Sequence, residues 1–155
     1  MLAKQQTAPT FKVLNQDEQW INLADYSAKK YVVLYFYPKD DTPGCTIEGN
    51  QFTALVNEFS QLDTVIIGVS KDSCASHRDF INKYDLKVEL LADTEGELCE
   101  SYGVWQEKEK NGIKKMGIVR STFIIDKTGS LLDVEYGVNA DGHAQKILEK
   151  IKNLS

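Results

Sequence analysis

The stretch "YVVLYFYPKDDTPGCTIEGNQF", Tyr31 to Phe52, joins an apolar run to a cysteine through a turn. Tyr31–Tyr37 is apolar or aromatic at every position, as a central strand covered on both faces requires. Pro38 to Gly44 ends that extended run. Beyond it Cys45, Ile47, Phe52, Leu55, Val56 and Phe59 recur at helical spacing, so the spacing predicts a helix opening close to Cys45. Unpaired backbone N–H groups and the positive end of the helix dipole favour an anion at that place. Thiolate is the nucleophilic form of cysteine, and its two-electron oxidation gives a sulfenic acid. On the residues alone Cys45 has two readings, a reactive thiol or a small buried hydrophobe.

Outward from this stretch, apolar runs of strand length are Thr64–Ser70, Lys87–Ala92, Arg120–Asp126 and Ser130–Tyr136. Lys127-Thr128-Gly129 makes the last two a hairpin. Runs near Thr10–Leu14 and Trp20–Leu23 predict a small N-terminal hairpin. Ser73 or Asp72 is a candidate cap for a helix through Tyr84, with Phe80, Ile81 and Tyr84 inward. Glu95–Tyr102 suits a short helix with Leu98, Cys99 and Tyr102 on one side. The C-terminal stretch places Ile147, Leu148, Ile151 and Leu154 on one stripe. Strands alternating with helices, then a hairpin and a helix, argue for one α/β layered domain over residues 1–155 with a mixed sheet. Trp105 and Met116 flank a polar insert with an Asn111-Gly112 turn, and either line a pocket rim or cover core.

Composition narrows the function classes. Net charge is −5, and the one basic cluster, "KEKNGIKK", is interleaved with Glu107 and Glu109. A nucleic-acid partner needs a positive face, and none is expected here. No apolar run nears the roughly 20 residues that cross a membrane, and the amino terminus lacks a secretory pattern. The expected location is the cytoplasm. Three cysteines at wide, irregular spacing make neither a disulfide framework nor a metal site.

Pro38, Thr42 and Cys45 in "YPKDDTPGCT" resemble the P-x-x-x-T-x-x-C signature of peroxiredoxins. "YFYPKDDTPGCTIE", "LADTEGELCESYGVW" and "RSTFIIDKTGSL" are similar to the bacterioferritin comigratory protein, or PrxQ, subfamily. The resemblance covers nearly the whole chain. It implies a thioredoxin-like three-layer sandwich and thiol-dependent reduction of hydrogen peroxide and small organic hydroperoxides. It implies Cys45 as the peroxidatic nucleophile, passing through a sulfenic acid. Thr42 then hydrogen-bonds peroxide and thiolate, Pro38 shapes and shields the pocket, and Arg120 holds the thiolate and polarises the peroxide. No cofactor and no metal are expected. Glu48, one turn after Cys45, reads as a backbone or arginine partner or as a solvated acid at the dipole, and stays outside the catalytic set.

The resemblance breaks at the resolving thiol. The commonest place for it, five residues after the nucleophile, is Asn50 here; a second, on the next helix, falls near Ile81. Cys74 lies on that helix about two turns earlier and on a similar face. Either Cys74 resolves Cys45 after local unwinding, or an external thiol such as thioredoxin attacks the sulfenic acid directly. Cys99, on an apolar helical face, reads as core; His77 and His143 read as solvated helix residues. The expected partners are a hydroperoxide and a thiol reductant, for a monomer or weak dimer. A different class also fits an oxidisable cysteine: a redox sensor or chaperone-like binding module without multiple turnover.

Overall fold

The computed structural model of the protein describes residues 1–154. Its centre is a five-stranded sheet in the order β5-β4-β3-β8-β9. β3 (Tyr31–Phe36) lies in the middle, parallel to β4 (Thr64–Ser70) and antiparallel to β8 (Ser121–Ile125). β5 (Glu89–Ala92) extends the parallel side, and β9 (Leu131–Tyr136) extends the antiparallel side. The mixed sheet follows from the connections: helices return the chain in parallel through β3, β4 and β5, whereas a tight turn joins β8 to β9. In that turn Asp126 Oδ1 accepts from the amides of Thr128 and Ser130 at 2.8 and 2.9 Å.

Both faces of the sheet are buried, which explains the unbroken apolar character of Tyr31–Tyr37. Val32, Leu34 and Phe36 pack on one face with Leu98, Cys99, Tyr102 and Phe123. Val33, Tyr35 and Tyr37 pack on the other with Cys45, Phe52, Phe80, Ile147 and Ile151. The second face is covered by α1 (Pro43–Ala54), α3 (Cys74–Tyr84) and α5 (His143–Leu154). α5 buries Ile147, Leu148 and Ile151, while Leu154 at its end is exposed. The helical pattern running from Cys45 to Phe59 is interrupted: Leu55 leaves helical geometry (φ −105°, ψ 3°), and α2 (Val56–Gln61) begins after it. That break redirects the chain so that Phe59 is buried beside Phe52, with ring centroids 6.0 Å apart.

On the first face α4 (Glu97–Ser101) is capped by Asp93, which accepts from the amides of Leu98 and Cys99. β1 (Lys12–Leu14) and β2 (Trp20–Asn22) form the small N-terminal hairpin. The polar insert is a second hairpin, β6 (Trp105–Lys110) with β7 (Ile113–Ile118). Asn111 and Gly112 both have positive φ, 55° and 78°, as a two-residue turn of this hand needs. No helix among the described residues is long and apolar enough to cross a membrane.

Candidate active site

The sheet register assembles the site. β3 ends at Phe36 opposite Ser121, the first residue of β8, so Arg120 stands beside the point where the chain leaves β3 for α1. Arg120 is also fixed at its own carbonyl, which accepts from the amide of Val138 at 2.9 Å.

α1 opens with Thr42 as its N-cap in an extended conformation, followed by Pro43 in the first turn, where a missing N–H costs nothing. The first helical bond runs from the Thr46 amide to the Thr42 carbonyl at 2.9 Å. Cys45 is therefore in the first turn, where the amides of Gly44 and Cys45 have no carbonyl one turn back. The residue is almost wholly buried, at 2% exposure, among Tyr35, Phe52 and the neighbouring side chains of the second face.

Arg120 reaches this thiol and one acid together. Nη2 donates to Cys45 Sγ at 3.4 Å, and Nη1 donates to Glu48 Oε1 at 2.7 Å. Burial works against the charge of Arg120, but Glu48 and Cys45 outweigh it and hold the guanidinium firmly protonated. The close approach depends on Gly44. A Cβ there would stand 3.0 Å from Arg120 Nη2 and 3.8 Å from Ala140 Cβ.

Glu48 is fully buried, not the solvated acid its helix-start position allows. Burial pushes its carboxyl up to about 7 against the pull of Arg120. Its Oε2 has no hydrogen-bond partner among the described residues. Glu48 is thus a member of the site that the sequence pattern leaves out. The signal for it is the pairing with Arg120, 72 positions further on, which only the fold brings about.

The other candidates fall into place around this core. Thr42 Oγ1 donates to the Lys39 carbonyl at 2.8 Å, leaving its lone pairs as acceptors. Pro38 is exposed in the loop between β3 and α1. Cys74 is the first residue of α3, half-buried, with Ser73 accepting from the Ser76 amide beside it. Ile81 packs against the hydrophobic cluster that includes Cys45. Cys99 lies in the opposite cluster, where burial and then Asp93 push its thiol far up, as suits a core residue. Trp105 packs on that opposite face as well, with Lys71 Nζ 4.1 Å from its ring, so it covers core and not the Cys45 surroundings. Met116 is exposed on β7.

Neither histidine is solvated. His77 is completely buried between Asp40 and the Leu91 carbonyl. His143 is buried at the start of α5 with Nε2 2.8 Å from Thr122 Oγ1, and burial holds its pKa below the usual imidazole value. Their neighbours Arg78, Asp79, Asp141 and Gly142 are exposed, so the local pattern reads as polar although both histidines are buried.

Chemically, a buried thiol at a helix start with a guanidinium on the sulfur is arranged to follow negative charge away from sulfur. The AhpC/TSA family model matches residues 5–134 of the chain. Peroxiredoxin Bcp of Bacillus subtilis is 43% identical over 150 residues, covering 97% of this chain and 95% of its own. The crystal structure of a cysteine-to-serine mutant of Xylella fastidiosa PrxQ superposes with a TM-score of 0.93 at 33% identity, covering 99% of this chain and 98% of the other. The bacterioferritin comigratory protein of Xanthomonas campestris, described for its alkyl peroxide reduction activity, superposes at 0.88 with 35% identity, covering 93% and 91%.

Proposed function

The chain belongs to the AhpC/TSA family and is a thiol-dependent peroxidase of the Bcp and PrxQ type, and from that footing we propose that its peroxide is reduced at Cys45. The observation that carries this assignment is the single guanidinium shared by Cys45 Sγ and Glu48. In the proposed reaction the Cys45 thiolate attacks the terminal oxygen of a hydroperoxide. The S–O bond forms, the O–O bond breaks, and the departing hydroxide or alkoxide leaves as water or alcohol after taking a proton. Cys45 becomes a sulfenic acid. Two equivalents of thiol then reduce it, releasing water and a disulfide.

The residues divide this work. Arg120 stabilises charge on sulfur before attack and on the leaving oxygen after it. The lone pairs of Thr42 Oγ1 accept from a peroxide O–H, and Pro38 covers the approach to the loop. The substrates are hydrogen peroxide and small organic hydroperoxides, a range supported by the alkyl peroxide activity of the Xanthomonas protein. Reaction with an external thiol such as thioredoxin is the first route of recycling, and attack by Cys74 is the second. The half-buried Cys74 and the fully free thiols at Cys45, Cys74 and Cys99 are compatible with both. A single domain over residues 1–155, acting in the cytoplasm as a monomer or weak dimer without nucleic acid or membrane, is the setting we favour; the acidic net charge and the one sheet shared by both cores support it.

The test is peroxide consumption with excess dithiol. Multiple turnover abolished in Cys45→Ser upholds the reading. Stoichiometric consumption that halts after one oxidation, under every thiol reductant, replaces it with a redox sensor or binding module.

A further inference from the structure

Two adjacent acids tie the loop between β3 and α1 to α3, and they point opposite ways. Asp41 has a left-handed backbone, φ 58°, and turns its carboxylate outward. There it accepts from Lys83 Nζ at 2.7 Å and from the Tyr84 hydroxyl. Asp40 turns inward and is nearly buried. Its Oδ1 accepts from the Tyr37 hydroxyl at 2.6 Å, and its Oδ2 accepts from Ser76 Oγ at 2.8 Å. The same Oδ2 faces His77 Nδ1 at 2.7 Å.

His77 continues the connection to the sheet. Its Nε2 lies 2.8 Å from the carbonyl of Leu91 on β5. A carbonyl only accepts, so Nε2 carries a hydrogen. A second proton then lies between Nδ1 and Oδ2, whichever atom owns it. The imidazole is thus a rigid bridge from the loop through α3 to β5. Asp40, Asp72 and His77 also bring three potential ligand atoms within 4.8 Å of one another. Those atoms are already engaged: Asp72 Oδ2 accepts from the Asp40 amide at 2.9 Å and from Ser70 Oγ at 2.6 Å. The cluster suits shared protons and not a cation.

Thr42 lies two positions after Asp40, and Cys45 lies five after it. Arg120 and Glu48 fix the opposite side of the thiol. We propose that Asp40 and His77 are positioning residues for peroxide reduction, their buried bridge pinning the turn from Thr42 to Cys45 so that hydroxyl and sulfur converge on one peroxide. The proposal rests on Cys45 as the reacting thiol.

Two reactions at Cys45 separate positioning from general stability: oxidation by hydrogen peroxide in a single turnover, and alkylation by iodoacetamide, each followed on the Cys45 peptide by mass spectrometry. Peroxide needs Thr42 and Arg120 aligned with sulfur; iodoacetamide needs only an accessible thiolate. In His77→Ala and Asp40→Ala the peroxide rate falls at least tenfold while alkylation changes less than threefold. Rates that move together, or no change, overturn the proposal. Should the alanine variants not fold, His77→Asn and His77→Gln decide it. Asparagine keeps a donor toward Asp40, glutamine keeps one toward Leu91, and the asparagine variant must be the faster with peroxide; equality or the reverse overturns the bridge. Failure of the Cys45 peptide in the unaltered protein to oxidise at all overturns the underlying assignment instead.

Discussion

Arg120 Nη1 meets Glu48 Oε1 at 2.7 Å, with Glu48 entirely removed from water and its second oxygen unpartnered. The guanidinium fork therefore serves two groups at once, because Nη2 is on the Cys45 sulfur. A lysine ammonium is a single point and does not reproduce that fork. Arg120→Lys lowers kcat/KM for hydrogen peroxide by roughly 100-fold, the scale of losing one oriented donor, with little change in unfolding by urea. Arg120→Met loses activity similarly, and it also leaves Glu48 without a cation, costing about 3 kcal/mol. Stopped-flow rates and urea midpoints check both; an Arg120→Met protein with unchanged stability contradicts the pairing.

Gly44 separates activity from stability in the other direction. A methyl group there meets Arg120 Nη2 at 3.0 Å, so the guanidinium, still held at Nη1 by Glu48, tilts Nη2 off the sulfur. Inside a helix alanine is favoured over glycine by up to about 1 kcal/mol. Gly44→Ala thus keeps or raises the melting temperature while kcat/KM falls about tenfold as Nη2 leaves the sulfur. A protein of unchanged activity sinks this expectation.

Glu48 gives the fold a specific pH dependence. Its ordinary value of 4.5 rises to about 7 on burial, so between those values the folded chain binds a proton that the unfolded chain releases. Stability from this group is complete below pH 4.5 and is lost as pH climbs through about 7. At about 1.4 kcal/mol per pKa unit the loss is on the order of 3–4 kcal/mol. Glu48→Gln removes the titration, so its stability relative to the parent rises between pH 5 and 7.5. Parallel stability curves for the two proteins are the contrary result.

The legible parts of the molecule are those where one residue's type reports its surroundings. Val32 to Phe36 is apolar on both faces, and Thr64–Ser70 likewise, so the central strands were visible at their observed places. The strands on either side of the Asn111-Gly112 turn were not, because Glu107 to Lys110 and Ile113 to Met116 face solvent and show no alternation to read. Cys45, Thr42 and Pro38 were singled out because their spacing resembles the family signature. An arginine partner was among the readings of Glu48, but the burial of Glu48, Asp40 and His77 was not legible, since each is a charged or polar residue near a helix start, where water is the usual partner. Their burial comes from contacts 72 and 37 positions away in the chain, which composition and periodicity do not encode.

The route of recycling is decided by reach. Cys74 and Ile81 share α3, seven residues and about 10 Å apart along the axis, yet Ile81 packs against the cluster around Cys45 while Cys74 sits at the helix's first residue. A disulfide needs Cα atoms within roughly 4.4–6.8 Å, and Cys45 starts from a position that is 2% exposed. Ile81→Cys asks for the smaller displacement and, in a Cys74→Ser background, forms an intramolecular disulfide after one equivalent of hydrogen peroxide. The unaltered protein, mapped by mass spectrometry under non-reducing digestion, yields mainly a sulfenic acid trapped at Cys45. A dominant Cys45–Cys74 peptide there reverses the order of the two recycling routes, and it would show that the first turn of α3 swings out together with α1.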